Sequence, residues 1–133
     1  MKEAYCSYEI SKLLKEKGFD WLTYAFYIPY EDGDVKFIIS KYKEKYNTLT
    51  DYPWLISAPT HQLAMRWLRE IYDLHIIAYP FKSGNDTSTK HYCCQVFKTF
   101  NLLGHEKYTN ETLASYEEAV ETAIKYCLEE LIK

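Results

Sequence analysis

Four cysteines and four histidines are the side chains of widest chemical range in this 133-residue sequence. A catalytic cysteine needs its pKa lowered by an imidazolium or a helix N-terminus. His91 and Cys93 come nearest to that demand. On a strand they share a face, because side chains alternate, yet strand rise holds them about 7 Å apart. That is too far for a hydrogen bond without a bend. Cys94 then points the other way, toward the core, and Cys127 falls on the dry face of a C-terminal helix. Buried, unreactive thiols are the simpler reading of Cys6, Cys93, Cys94 and Cys127.

Metal and phosphate chemistry find less support. His61, His75, His91 and His105 are scattered, with no C-x-x-C and no H-x-x-x-H, whereas zinc sites usually show close ligand spacing. Glu117-Glu118 and Glu129-Glu130 lie on the wet face of a helix. Glu31, Asp32 and Asp34 flank a turn glycine in a hairpin composition, not a calcium loop. No P-loop, G-x-G-x-x-G or G-x-S-x-G is present. No catalytic, cofactor-binding or metal-ligating residue is therefore assigned, and no cofactor is expected.

Two binding constellations remain. In Lys41-Tyr42-Lys43-Glu44-Lys45-Tyr46, cations alternate with rings. An extended segment would set Lys41, Lys43 and Lys45 on one side and Tyr42 and Tyr46 on the other, able to touch phosphate and stack on bases. Against nucleic acid stand a net charge of −3 and a sequence pI near 5.8, so a solvated loop is the preferred reading. The second set is Trp21, Tyr30, Tyr52 and Trp54. These rings fall at strand ends or in loops, off the helix stripes, and are of the types that protein-binding hot spots favour.

The elements that must position these residues are easily punctuated. Ser7 caps a first helix whose stripe is Ile10, Leu13 and Leu14; Gly18 is a left-handed C′ residue, with Phe19 folding back on Leu14. Leu22 to Ile28 reads as a strand, Asp32-Gly33 as a hairpin turn, and Val35 to Ser40 as the return strand. Residues 41 to 52 read as a loop or frayed strand extension, and 53 to 56 as a short extended piece. A second helix runs from about Pro59 to Tyr72, capped by Ser57 or Ala58, with Ala64, Trp67, Leu68 and Ile71 on its apolar face. His75 to Phe81 and His91 to Phe100 form a second hairpin around the turn KSGNDTSTK, and a short strand at 105 to 108 is an option. Ser115 and Glu118 open the last helix as a capping box, and Val120, Ala123, Ile124, Cys127, Leu128 and Leu131 form its dry face.

The expected fold is a single α+β domain over residues 1–133. Its order is α-β-β-α-β-β-α, with a mainly antiparallel sheet of four or five strands and helices on one face. Composition agrees: 47% hydrophobic and 26% charged residues describe an ordinary globule. The 14 tyrosines suit a sheet partly capped by rings, or a recognition face. The N-terminal stretch shows no apolar signal-peptide region, and no run approaches membrane-helix length, so a cytoplasmic setting is expected.

Three segments, SYEISKLLKEKGF, APTHQLAMRWLREIYDLHI and SYEEAVETAIKYCLEELI, resemble a family of small proteins of Bacteroides and relatives, often encoded in prophages or mobile elements. The resemblance implies a bacterial cytoplasmic setting and a phage or mobile-element accessory role. It supplies no activity and no site residues. The resulting expectation is a small non-catalytic binding or adaptor protein, its partner another protein or a second copy of itself as a homodimer, with neither membrane nor metal. A nucleic-acid-associated accessory protein using residues 41–46 is the alternative, and an unrecognised thiol or hydrolytic enzyme is third.

Overall fold

The computed structural model describes residues 4–81, 91–98 and 115–132. The α+β class and the antiparallel pairing are as expected. Among the described residues the strands form two small sheets, of three and two strands, in the order α-β-β-β-α-β-β-α. The chain divides into two compact units, residues 1–63 and 64–133. The optional strand at 105–108 and the turn at 82–90 lie outside the described residues.

In the first unit, α1 spans Tyr8–Glu16. Ser7 Oγ accepts from Ile10 N at 3.3 Å, which satisfies one of the donors a helix start leaves open. At the other end Gly18 adopts φ +90, a conformation glycine enters without Cβ strain. Phe19 N then donates to Leu14 O at 2.9 Å and Gly18 N to Lys15 O at 3.1 Å, the Schellman pattern. Phe19 and Leu14 are both fully buried.

β1 (Thr23–Pro29) lies between β2 (Val35–Glu44) and β3 (Ile56–Ala58). Asp32-Gly33 turns the β1–β2 hairpin: Gly33 has φ +93, and Asp32 Oδ1 accepts from Asp34 N. β3 is the added strand. Its Ile-Ser-Ala is wholly buried along the second edge of β1, so it carries no alternating pattern to announce it. α1 and the segment before it meet the sheet through ring pairs: Tyr8 with Tyr27 of β1 at 5.6 Å and Tyr5 with Phe37 of β2 at 5.3 Å.

The division between units falls within α2 (His61–Tyr72). The cap of α2 is Thr60, not Ser57 or Ala58: its Oγ1 accepts from Leu63 N at 3.2 Å. Ala64, Trp67 and Leu68 are buried as expected, but Ile71 is 54% exposed. Asp73 takes φ +56 just after the helix, and Leu74 N reaches back to Leu68 O at 3.1 Å. Leu74, 1% exposed, so takes the inward place expected of Ile71. β4 (His75–Phe81) pairs with β5 (His91–Phe97) in unbroken register. α3 (Tyr116–Tyr126) packs on this hairpin. Ser115 Oγ accepts from Glu118 N at 3.1 Å, so Ser115 caps the helix and the first half of the expected capping box is in place. A π-helical turn, Cys127–Leu131, continues it.

Candidate functional site

Three features of the β1–β2 hairpin make its outer edge unusual. β2 is ten residues long, and among the described residues only β1 pairs with it. Tyr30 N donates to Asp34 O at 2.8 Å, which fixes the hydrogen-bonding phase of the hairpin. Antiparallel ladders alternate bonded and non-bonded pairs. Lys36 and Ile38, opposite Ile28 and Phe26, therefore turn their backbone groups inward to β1. Val35, Phe37 and Ile39 turn theirs to the open edge.

The same three residues share one face of the sheet, since side chains alternate. They are 38%, 43% and 59% exposed. Phe37 is held beside its cross-strand partner Tyr27 at 5.1 Å and against Tyr5 at 5.3 Å. Edges of this kind are ordinarily blunted by charge, proline or bulges. Here the charge sits at the ends and at Lys36, which is exposed between Val35 and Phe37 but points to the opposite face. Glu31, Asp32 and Asp34 lie at the turn. At the far end the register jumps from Ala25↔Ile39 to Thr23↔Glu44. Five residue steps on β2 there face two on β1, so residues 40–43 bow out of the ladder.

That bow contains most of the Lys/Tyr segment. Residues 41–44 continue β2 as a strand extension, the lesser of the two expected readings, and not as a free loop. Lys41, Tyr42, Lys43 and Lys45 are all exposed, and Tyr42 is the most open, at 73%. Lys43 Nζ sits 5.1 Å over the Tyr24 ring, a cation–π contact. Tyr46 is a correction to the expected stacking pair. It is buried in the turn Tyr46–Thr48, its ring 4.4 Å from Phe26 and its hydroxyl donating to Tyr42 O at 3.0 Å. No base can stack on it there.

The four candidate protein-binding rings are dispersed. Tyr30 is exposed at the hairpin turn, opposite Asp34 and so on the other face from Val35. Tyr52 and Trp54 are exposed and meet edge-to-face at 5.8 Å. Their loop is tied to α1 by Lys15, whose Nζ donates to Pro53 O at 2.7 Å and Leu55 O at 2.8 Å. Partial burial lowers the Lys15 pKa. Trp21 is half-buried, 6.3 Å from Phe19.

Sequence reasoning missed Val35, Phe37 and Ile39. Their V-x-F-x-I alternation after the Asp32-Gly33 turn was visible. An alternating row is normally the inward one, and which strand ends a sheet is a matter of topology.

A shallow cleft of about 220 Å³ lies beside the bow, lined in part by Leu22, Tyr24, Lys43, Pro59 and Leu63. Small-molecule sites typically occupy roughly 300–1,000 Å³, so this one is undersized for a ligand pocket. The thiols are all buried. Burial, and secondarily the neighbouring Cys94, pushes the Cys127 pKa up to about 12, the opposite of nucleophile activation. Unbroken β4–β5 pairing keeps His91 and Cys93 at strand spacing. In the first unit Cys6 and His61, both buried, bring ligand atoms within 4.8 Å of each other. Their separation along the chain hid that meeting.

No family model, curated protein or solved structure matches the chain. Among the described residues no helix is long and apolar enough to cross a membrane.

Proposed function

We propose that the protein is a non-catalytic binding protein that takes an extended segment of a partner protein as an added strand along β2. The observation that carries this reading is the open edge with its exposed apolar row, Val35, Phe37 and Ile39. In strand addition, main-chain hydrogen bonds supply affinity and alternate side chains supply specificity. Both are on offer at the same three residues. The resemblance to small mobile-element proteins adds a setting, a bacterial cytoplasm, and no activity. Nucleic acid is the poorer partner: the net charge of −3 repels polyanions at long range, and burial of Tyr46 removes one of the two stacking rings.

The test is selection of peptides from a random displayed library on the parent protein, followed by binding to Ile39→Pro. Ile39 directs its N–H outward, so proline removes an edge donor without breaking the ladder to β1. Selected peptides should alternate apolar residues and bind Ile39→Pro at least tenfold more weakly, while its circular dichroism stays that of the parent. Peptides that bind both proteins equally would place the site elsewhere and end this reading.

A further inference from the structure

We infer that one occupant of the β2 edge is β2 of a second copy, paired antiparallel about a two-fold axis through Phe37. This rests on the reading of β2 as a binding edge and names the partner. The argument begins with parity. Only Val35, Phe37 and Ile39 turn backbone groups outward, so two copies can bond only by matching residues of that set. Placing Phe37 opposite its counterpart sets Val35 opposite Ile39 twice. Every outward N–H and C=O of the three then finds a partner. The side chains follow, because opposed residues share a face: the two apolar rows merge into one stripe across both sheets.

Charge supports the same pairing. Each β2 is acidic at its turn end, with Glu31, Asp32 and Asp34, and basic in its bow, with Lys41 and Lys43 against one acid, Glu44; Lys36, on the opposite face, lies diagonal to its own counterpart, a like-charge approach that the two end contacts outnumber. Antiparallel pairing about Phe37 brings the acidic turn of one copy alongside the bowed lysines of the other, twice. A parallel arrangement would set like ends together. The edge is short compared with the roughly 800 Å² per partner of a standard interface, so the pairing is reversible and concentration-dependent. The same surface then remains open to a longer foreign strand.

Sedimentation across a wide concentration range tests the inference. The apparent mass of the parent should rise toward double with concentration, and Ile39→Pro should stay monomeric. Glu31→Lys/Asp34→Lys and Lys41→Glu/Lys43→Glu should each weaken self-association at least tenfold, and an equimolar mixture of the two should restore it. Phe37→Cys should cross-link to itself under mild oxidation. A bonded antiparallel pair sets its Cα atoms about 5.5 Å apart, inside the disulfide range. Val35→Cys should not, since about four strand steps, roughly 13 Å, would separate the two sulfur-bearing residues. The native cysteines are buried and do not compete. A monomer at every concentration that still binds selected peptides at β2 would overturn self-pairing and spare the edge. A monomer that binds none would overturn both. A dimer indifferent to all these variants would lie elsewhere and refute the proposal.

Discussion

Asn47 and Ser57 hold each other from both sides. Asn47 Oδ1 accepts from Ser57 N at 2.7 Å, and Ser57 Oγ accepts from Asn47 N at 3.1 Å. The remaining amide group, Asn47 Nδ2, donates to Phe19 O at 2.9 Å. One side chain thereby ties the turn Tyr46–Thr48 to β3 and to the residue that closes α1. Ser57 is fully buried, so its backbone donor has no access to water in exchange.

Asn47→Ala should therefore cost about 2–4 kcal/mol, the sum of two lost side-chain bonds at about 1–2 kcal/mol each where the partners are left unsatisfied. Asn47→Asp should not rescue it. It keeps the acceptor for Ser57 but sets a carboxylate oxygen against the Phe19 carbonyl. Urea unfolding checks this: the midpoint should fall in both variants while the slope is retained. A midpoint equal to the parent's in Asn47→Ala would show the clasp to be idle.

Trp67 and Ile71 were expected on one helix face and behave oppositely. Trp67 is 2% exposed and meets the Tyr72 ring at 5.2 Å. Trp67→Ala should cost about 3–5 kcal/mol, as large aromatic truncations in cores do. Ile71→Ala, at a half-open site, should stay within about 0.5 kcal/mol of the parent. Thermal melts of the two variants check the assignment. Equal losses would mean that Ile71 is packed after all.

That contrast shows what the residues made legible. Local chemistry was readable wherever a side chain or glycine acts on its own neighbourhood: the Ser7 and Ser115 caps, the Gly18 closure with Phe19 on Leu14, the Asp32-Gly33 turn. Ile71 failed because α2 ends one residue later, and the left-handed Asp73 sends Leu74 inward instead. Tyr46 failed because the chain leaves the strand after Glu44 and turns the ring onto Phe26, a contact between residues twenty apart. The candidate site was least legible. Val35, Phe37 and Ile39 read as a strand, but the openness of that strand depends on β3 pairing with the other edge of β1. No local pattern encodes that choice.

Cys127 gives the fold an alkaline limit. Its pKa in the native state is raised from 9.0 to about 12, chiefly by burial and then by Cys94. A raised native pKa means the unfolded chain gives up the proton first. The stabilisation is complete below pH 9.0 and is lost as pH climbs from there toward about 12. Within that window the parent should lose about 1.4 kcal/mol per pH unit from this group alone. Cys127→Ala lacks the titrating thiol. Its stability, lower at pH 7 because a buried atom is removed, should therefore decline less steeply above pH 9. Denaturant midpoints of the two proteins, measured side by side from pH 7 to 11, isolate the contribution of Cys127 from everything the two share. Parallel curves would mean that Cys127 ionises in the native state near its ordinary value. In that case the thiol would also react with maleimide at pH 8 without denaturant, whereas burial of all four cysteines requires labelling to await unfolding.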